Sequence, residues 1–168
     1  MRQKKNQKLT GEVEADECYL SSGKGGRKAA RRGRNLAGKF ALIGAVCRKT
    51  RRIMIERTHS TNSDALHGFI KRNVDTDSIV HTDSFRAYNG LNDAGYEHLT
   101  VNHFVTFKNR KTGACTNLIE SAWAVIKRHL CRFCGGWRNN LDLWLAEMEA
   151  RIEHRDNFHK YLRKALRA

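Results

Sequence analysis

The spacing of apolar residues along the chain changes period repeatedly, and each change predicts an element. From 13 to 20, VEADECYL alternates: Glu14, Asp16 and Cys18 share one side of an extended chain and Val13, Ala15, Glu17 and Tyr19 the other, which predicts a strand. KFALIGAVCR (39 to 48) is almost continuously apolar, as a strand covered on both faces is. RRIMIERT (51 to 58) follows a basic turn near Lys49 and Thr50 and predicts the second arm of a hairpin. Between Ser60 and Asn73 the period becomes helical, with Ala65, Leu66, Phe69 and Ile70 behind a Ser/Thr/Asn start. SIVHTD (78 to 83) is a short β-rich run whose place after a helix predicts a parallel crossover.

The remainder is helical in pattern. Ile119, Trp123, Ile126 and Leu130 form one apolar stripe, and Leu141, Leu145, Met148 and Ile152 form a second, with Gly135 and Gly136 between them. The chain has no proline, so the last helix can run long, with a break expected near Asp156 and Asn157. Strands, a helix, a strand and then helices predict a mixed α/β domain. At 168 residues with 40% hydrophobic content, the chain is long enough for one domain with a real core. The expected organisation is a basic leader (1–10), a core (11–135) holding a basic loop (21–39), and a helical segment (136–168) packed on it.

Charge changes the picture. The formal net charge is +15, with +11 carried by residues 1–60 and +4 by the rest, which points to a partner rich in phosphate. GKGGRKAARRGRNLAGK (23 to 39) holds Lys24, Arg27, Lys28, Arg31, Arg32 and Arg34 and no acid, and such a Gly- and Arg-rich loop can order itself along a nucleic-acid backbone. No run of 18 apolar residues and no apolar signal segment are present, so a soluble intracellular protein is expected, nuclear in a eukaryote and in the cytoplasm or nucleoid in a bacterium, with no membrane partner. Five cysteines at irregular spacing make a poor disulfide framework, and the Cys131/Cys134 pair lacks an evident second pair of zinc ligands.

In so basic a chain the informative acids are those on apolar strands or basic helix faces. Asp16 lies inside the first strand, Asp83 ends the SIVHTD strand, and Glu120 sits in NLIESAWAVIKRHL; separations of 67 and 37 residues mean that only a fold can join them. Clustered carboxylates repel unless a cation compensates them, and Mg²⁺ or Mn²⁺ is the natural partner. Two such ions about 3.5 to 4 Å apart would suit an in-line phosphodiester displacement. Seven residues make almost two helical turns, so Lys127 lies on the Glu120 face with Asn117, Ser121 and Ala124. The plainer account of that face is a solvated helix with local ion pairs.

At these residues the chain resembles the DDE transposases of the Merlin superfamily and the related bacterial insertion-sequence transposases with the ISXO-type domain. The matching stretches are GEVEADECYL, RRGRNLAGKFALIGAV, HTDSFRAYNGL, GYEHLTVNHFVTF and TGACTNLIESAWAVIKRHL, in the family's order, across roughly residues 11 to 135. The resemblance implies an RNase H-like fold, a metal-binding triad of Asp16, Asp83 and Glu120, Lys127 as the basic residue that follows the glutamate, and Asn117 in support. It also implies divalent-metal-dependent DNA cleavage and strand transfer at transposon ends by a homodimer or larger assembly, with Lys127 and Arg128 on the DNA side. Tyr88 and Asn89 are expected to shape the turn after Asp83, Trp123 to belong to the core, and His81, His98 and His103 to be packed or hydrogen-bonded, a general-base role being the alternative. Such transposases carry a DNA-recognition region ahead of the core, whereas about ten residues precede the first matching block here, so phosphate contact without sequence reading is expected of the basic loop. A silent transposon-derived DNA-binding protein and another RNase H-like nuclease are the two other classes consistent with these features.

Overall fold

The computed structural model describes residues 7–21, 38–102 and 113–166. β1 (Glu12–Ser21), β2 (Lys39–Cys47) and β3 (Ile53–Thr58) form an antiparallel meander, and α1 (Ser63–Asn73) crosses over to β4 (Ile79–Asp83). A 3₁₀ turn at Arg86–Tyr88 leads to β5 (Glu97–Val101); α2 (Asn117–Cys131), α3 (Leu141–Glu153) and α4 (Phe158–Ala165) follow. The sheet order is β3-β2-β1-β4-β5, with β4 parallel to β1 and β5 parallel to β4. No helix among the described residues is long and apolar enough to cross a membrane.

The sequence pattern explains most of this arrangement. Every residue from Ala41 to Cys47 is buried, because β2 is covered on both faces. On one face Leu66, Phe69 and Ile70 of α1 pack on Val13, Ala15, Ile43 and Ala45; on the other, Ile119, Trp123, Ile126, Leu141, Leu145 and Met148 pack on Cys18, Leu20, Leu42 and Val46. Asn62 starts α1 by accepting from the Ala65 amide at 3.1 Å, which satisfies one of the helix's orphan donors. The expected break after α3 falls between Glu153 and Phe158. β5 is the element that the pattern did not predict. EHLTV buries only Val101 and is a strand by virtue of its ladder with β4.

β3 is an edge strand, and its outward backbone is partly blocked: the Ile55 amide donates to Glu149 Oε1 of α3 at 2.6 Å. One glycine matters for how α2 sits. Gly44 of β2 pairs with Asp16, and a Cβ there would lie 2.6 Å from Cη2 and 2.7 Å from Cζ2 of the Trp123 indole. The missing side chain is the notch into which α2 sets its tryptophan.

Gly44→Ala should therefore cost about 1–3 kcal/mol by overpacking, since an indole cannot bend away and α2 must shift. Urea unfolding followed by tryptophan fluorescence measures it; an unchanged midpoint would mean that α2 is not seated by this contact.

Candidate active site

The face that β1 turns toward α2 carries Glu14, Asp16, Cys18 and Leu20, as the alternation predicts. The parallel ladder pairs Glu12 with Ile79, Val13 with Val80 and Glu14 with His81. Two residues beyond its last pair, in the same register, come Asp16 and Asp83. Asp83 is half-buried at the carboxyl end of β4, where open α/β sheets gather their reactive groups. α2 crosses this face with Ile119, Trp123, Ile126 and Leu130 inward and Asn117, Glu120, Ser121, Ala124 and Lys127 exposed.

Asp16 senses both of the other acids. Its pKa is pushed up to about 8, first by burial and then by the charges of Glu17, Asp83 and, more weakly, Glu120. Each carboxylate is also engaged by a protein donor. Trp123 Nε1 donates to Asp16 Oδ2 at 3.1 Å, the Phe85 amide to Asp83 Oδ1 at 2.9 Å, and the Thr116 hydroxyl to Glu120 Oε1 at 3.0 Å. Among the described residues no three His, Cys, Asp or Glu side chains stand close enough together to hold an ion. The donor set itself, carboxylate oxygens with an excess of negative charge, suits a hard divalent cation.

The other expected residues fall as follows. Burial raises the pKa of the Cys18 thiol to about 11, and the charge of Lys127 pulls against that rise, which sets Lys127 near the face of β1 that carries Cys18 and, two residues before it, Asp16. Asn117 is the first residue of α2 and lines a small surface cavity with Glu14, Arg48, Arg51, Leu118 and Ser121. Arg128 is exposed on the same helix. Lys24, Arg27, Lys28, Arg31, Arg32, Arg34 and His103 lie outside the described residues. His81 is buried on the Asp16 face, 3.3 Å from Glu12 and without hydrogen-bond geometry, while burial and Arg48 hold its pKa below the usual histidine value. His98 is on the opposite face, with Nε2 2.8 Å from the Thr82 hydroxyl.

Four contributors escaped the pattern. Trp123 is core, as its place on the apolar stripe implies, but it also holds Asp16. Tyr88 is fully buried and donates to Glu17 Oε2 at 3.2 Å on the far side of β1. Glu14 is 2% exposed, and its Oε2 accepts from the Leu118 and Ile119 amides at 2.7 and 3.1 Å. Arg48 donates to Glu14 Oε1 at 2.8 Å and also pairs with Glu12. An Arg just past a buried strand and a second acid on the Asp16 face were the available signals.

A mixed five-stranded sheet of this order, flanked by helices on both faces, with acids on β1 and at the end of β4, is the RNase H-like fold of integrase catalytic cores. In a simian T-cell lymphotropic virus intasome bound to a PP2A regulatory subunit, a chain matches with a TM-score of 0.56 and 12% identity, over 86% of this chain and 48% of that one. The present chain thus spans about half of that relative's length. The HTLV-2 integrase catalytic core in complex with magnesium, in its trimeric form, matches with a TM-score of 0.50 and 12% identity over 88% of this chain and 84% of that one. Residues 8–152 match the ISXO2-like transposase domain, and the chain belongs to that family. An uncharacterised transposase-like protein of Haemophilus influenzae is 34% identical over 95 residues, 56% of this chain and 76% of its own.

A carboxyl raised in the folded state binds its proton more tightly there than when unfolded, so this group's contribution to stability is lost as pH rises between about 4 and 8. In EDTA, the melting temperature of Asp16→Asn minus that of the unaltered protein should grow across this window. The depressed His81 and His98 act on both proteins alike and cancel. A flat difference from pH 5 to 8.5 would mean that neither burial nor the neighbouring acids raise the Asp16 carboxyl.

Proposed function

We propose that this chain is the catalytic core of a DDE transposase, cleaving DNA and transferring strands at transposon ends with divalent metal. The observation that carries the reading is the parallel ladder of β1 and β4, which sets Asp16 and Asp83, 67 residues apart along the chain, level with each other on the sheet that α2, bearing Glu120, crosses. Three carboxylates offered to one face by a strand, a strand end and a helix, in a chain of net charge +15, suit an ion-bound phosphodiester. Membership of the transposase family and the magnesium bound to a similar integrase core support the choice.

Asp16, Asp83 and Glu120 would hold Mg²⁺ or Mn²⁺. When bound, two such ions activate a water or a 3′-hydroxyl and stabilise the leaving oxygen. The chain's own groups do the rest. Trp123 keeps Asp16 in one rotamer through its indole N–H, and the Phe85 amide does the same for Asp83. Lys127, based over Cys18 on the Asp16 face, is within side-chain reach of a phosphate drawn to the acids. Arg128 and the basic loop would carry the flanking backbone without reading bases. Joining two transposon ends calls for two such sites, so a homodimer on paired ends is the expected working form.

Supercoiled plasmid incubated with the protein should be nicked in Mn²⁺ or Mg²⁺ and not in EDTA. Asp83→Asn and Glu120→Gln should each lower the nicking rate roughly 10²- to 10³-fold, as the loss of several kcal/mol of charge stabilisation requires, with DNA affinity equal or higher. Binding without metal-dependent nicking would instead mark a silent DNA-binding protein. Hydrolysed ends that are never joined to a target strand would mark a nuclease.

A further inference from the structure

The N-terminus of α2 is held by another element. Its flanking residue Thr116 makes no side-chain cap; its hydroxyl goes to Glu120 Oε1 instead, at 3.0 Å. The cap comes from the sheet: Glu14 of β1 accepts the Leu118 and Ile119 amides on one oxygen and the Arg48 guanidinium on the other. Arg48 also donates to the Cys115 carbonyl at 3.0 Å, in the segment that enters α2. One rigid strand therefore carries both the capping carboxylate and, two residues on, Asp16. One helical turn carries both the capped amides and, at the next position, Glu120.

We propose that Glu14, held by Arg48, is a positioning residue that sets the distance from Glu120 to Asp16, and that it thereby controls how tightly the acids bind a divalent ion. This rests on the reading of Asp16, Asp83 and Glu120 as the reacting site. A helix needing only a cap would be served by Thr116 itself, at no desolvation cost. Capping from β1 ties the helix to the strand that bears Asp16 and releases the Thr116 hydroxyl to hold Glu120. Glu14 does not touch the reacting atoms: it faces the helix end, with its oxygens taken by Leu118, Ile119, Arg48 and the Cys115 thiol.

The test is Mn²⁺ binding to the full chain by electron paramagnetic resonance, with amide hydrogen exchange at Leu118 and Ile119, for the unaltered protein, Glu14→Gln, Arg48→Lys, Glu12→Gln and Asp83→Asn. Glu14→Gln should lose amide protection at both positions and bind Mn²⁺ about tenfold more weakly, the scale seen when groups behind metal ligands are altered. Plasmid nicking should then fall in kcat with KM for DNA unchanged. Arg48→Lys, which keeps a cation beside Glu14, should retain much of the affinity, and Glu12→Gln, at the exposed partner of Arg48, nearly all of it. If Glu14→Gln does not fold, Arg48→Gln gives the same comparison. Wild-type Mn²⁺ affinity in Glu14→Gln or Arg48→Gln, with only a lowered melting temperature, would overturn the inference and leave the site reading intact. Mn²⁺ binding that is absent, or untouched by Asp83→Asn, would overturn both.

Discussion

Everything on the acidic face of this protein depends on a buried carboxylate meeting the end of a helix. Desolvating Glu14 costs several kcal/mol unless its charge is compensated, and here an arginine, two backbone amides and the positive end of the α2 dipole compensate it together. Less than two turns along the same helix, Trp123 lies in the notch left by Gly44 and donates to Asp16. Two polar contacts thus pin α2 to β1, at Glu14 and at Asp16, on one face of one strand. Sliding or rotating the helix breaks one or both, so the position of Glu120 follows from the sheet rather than from its own packing.

The same arrangement concentrates negative charge where the chain as a whole is positive. With +15 overall, the protein favours a phosphate-rich partner, yet burial and neighbouring acids hold the Asp16 carboxyl so far up its titration range, at about 8, that it retains a proton near neutrality. On the proposed function, a divalent cation would resolve both conditions, displacing that proton and giving a phosphate something to approach. On that reading, basic surface would bring nucleic acid near, and the acidic centre would restrict where on that surface chemistry can occur. Lys127 stands at the boundary between them, on the exposed face of α2 and over the strand that carries Asp16.

The parts of this structure that the sequence announces are those governed by period. Ala41 to Cys47 could only be a covered strand, and the stripes on α2 and α3 state which way each helix faces. Asp16 and Asp83 were legible because alternation gives their face and the crossover gives their neighbour. What stayed hidden depends on contacts between elements. β5 has almost no apolar pattern of its own and exists through its ladder with β4. Glu14 reads as one more polar residue on a half-polar strand until the α2 amides are brought to it, 104 and 105 positions later. Trp123 reads as core because it is core, and nothing in a helical stripe states where an indole N–H will point.

β1 carries Glu12, Glu14, Asp16 and Glu17 within six residues, and the choice of which acid enters the site is a matter of register. A slip of one residue would exchange Asp16 for Glu17 and turn every side chain to the other face. The ladder with β2 runs unbroken from Val13↔Cys47 to Ser21↔Lys39 and places Gly44 opposite Asp16. Any neighbour of Gly44 in its place would push a side chain into Trp123. On the reverse face, buried Tyr88 gives Glu17 a hydroxyl partner and so keeps that acid turned away from α2. The notch on one side and the tyrosine on the other select the same register, and with it the acid, Asp16, that falls level with Asp83 of β4.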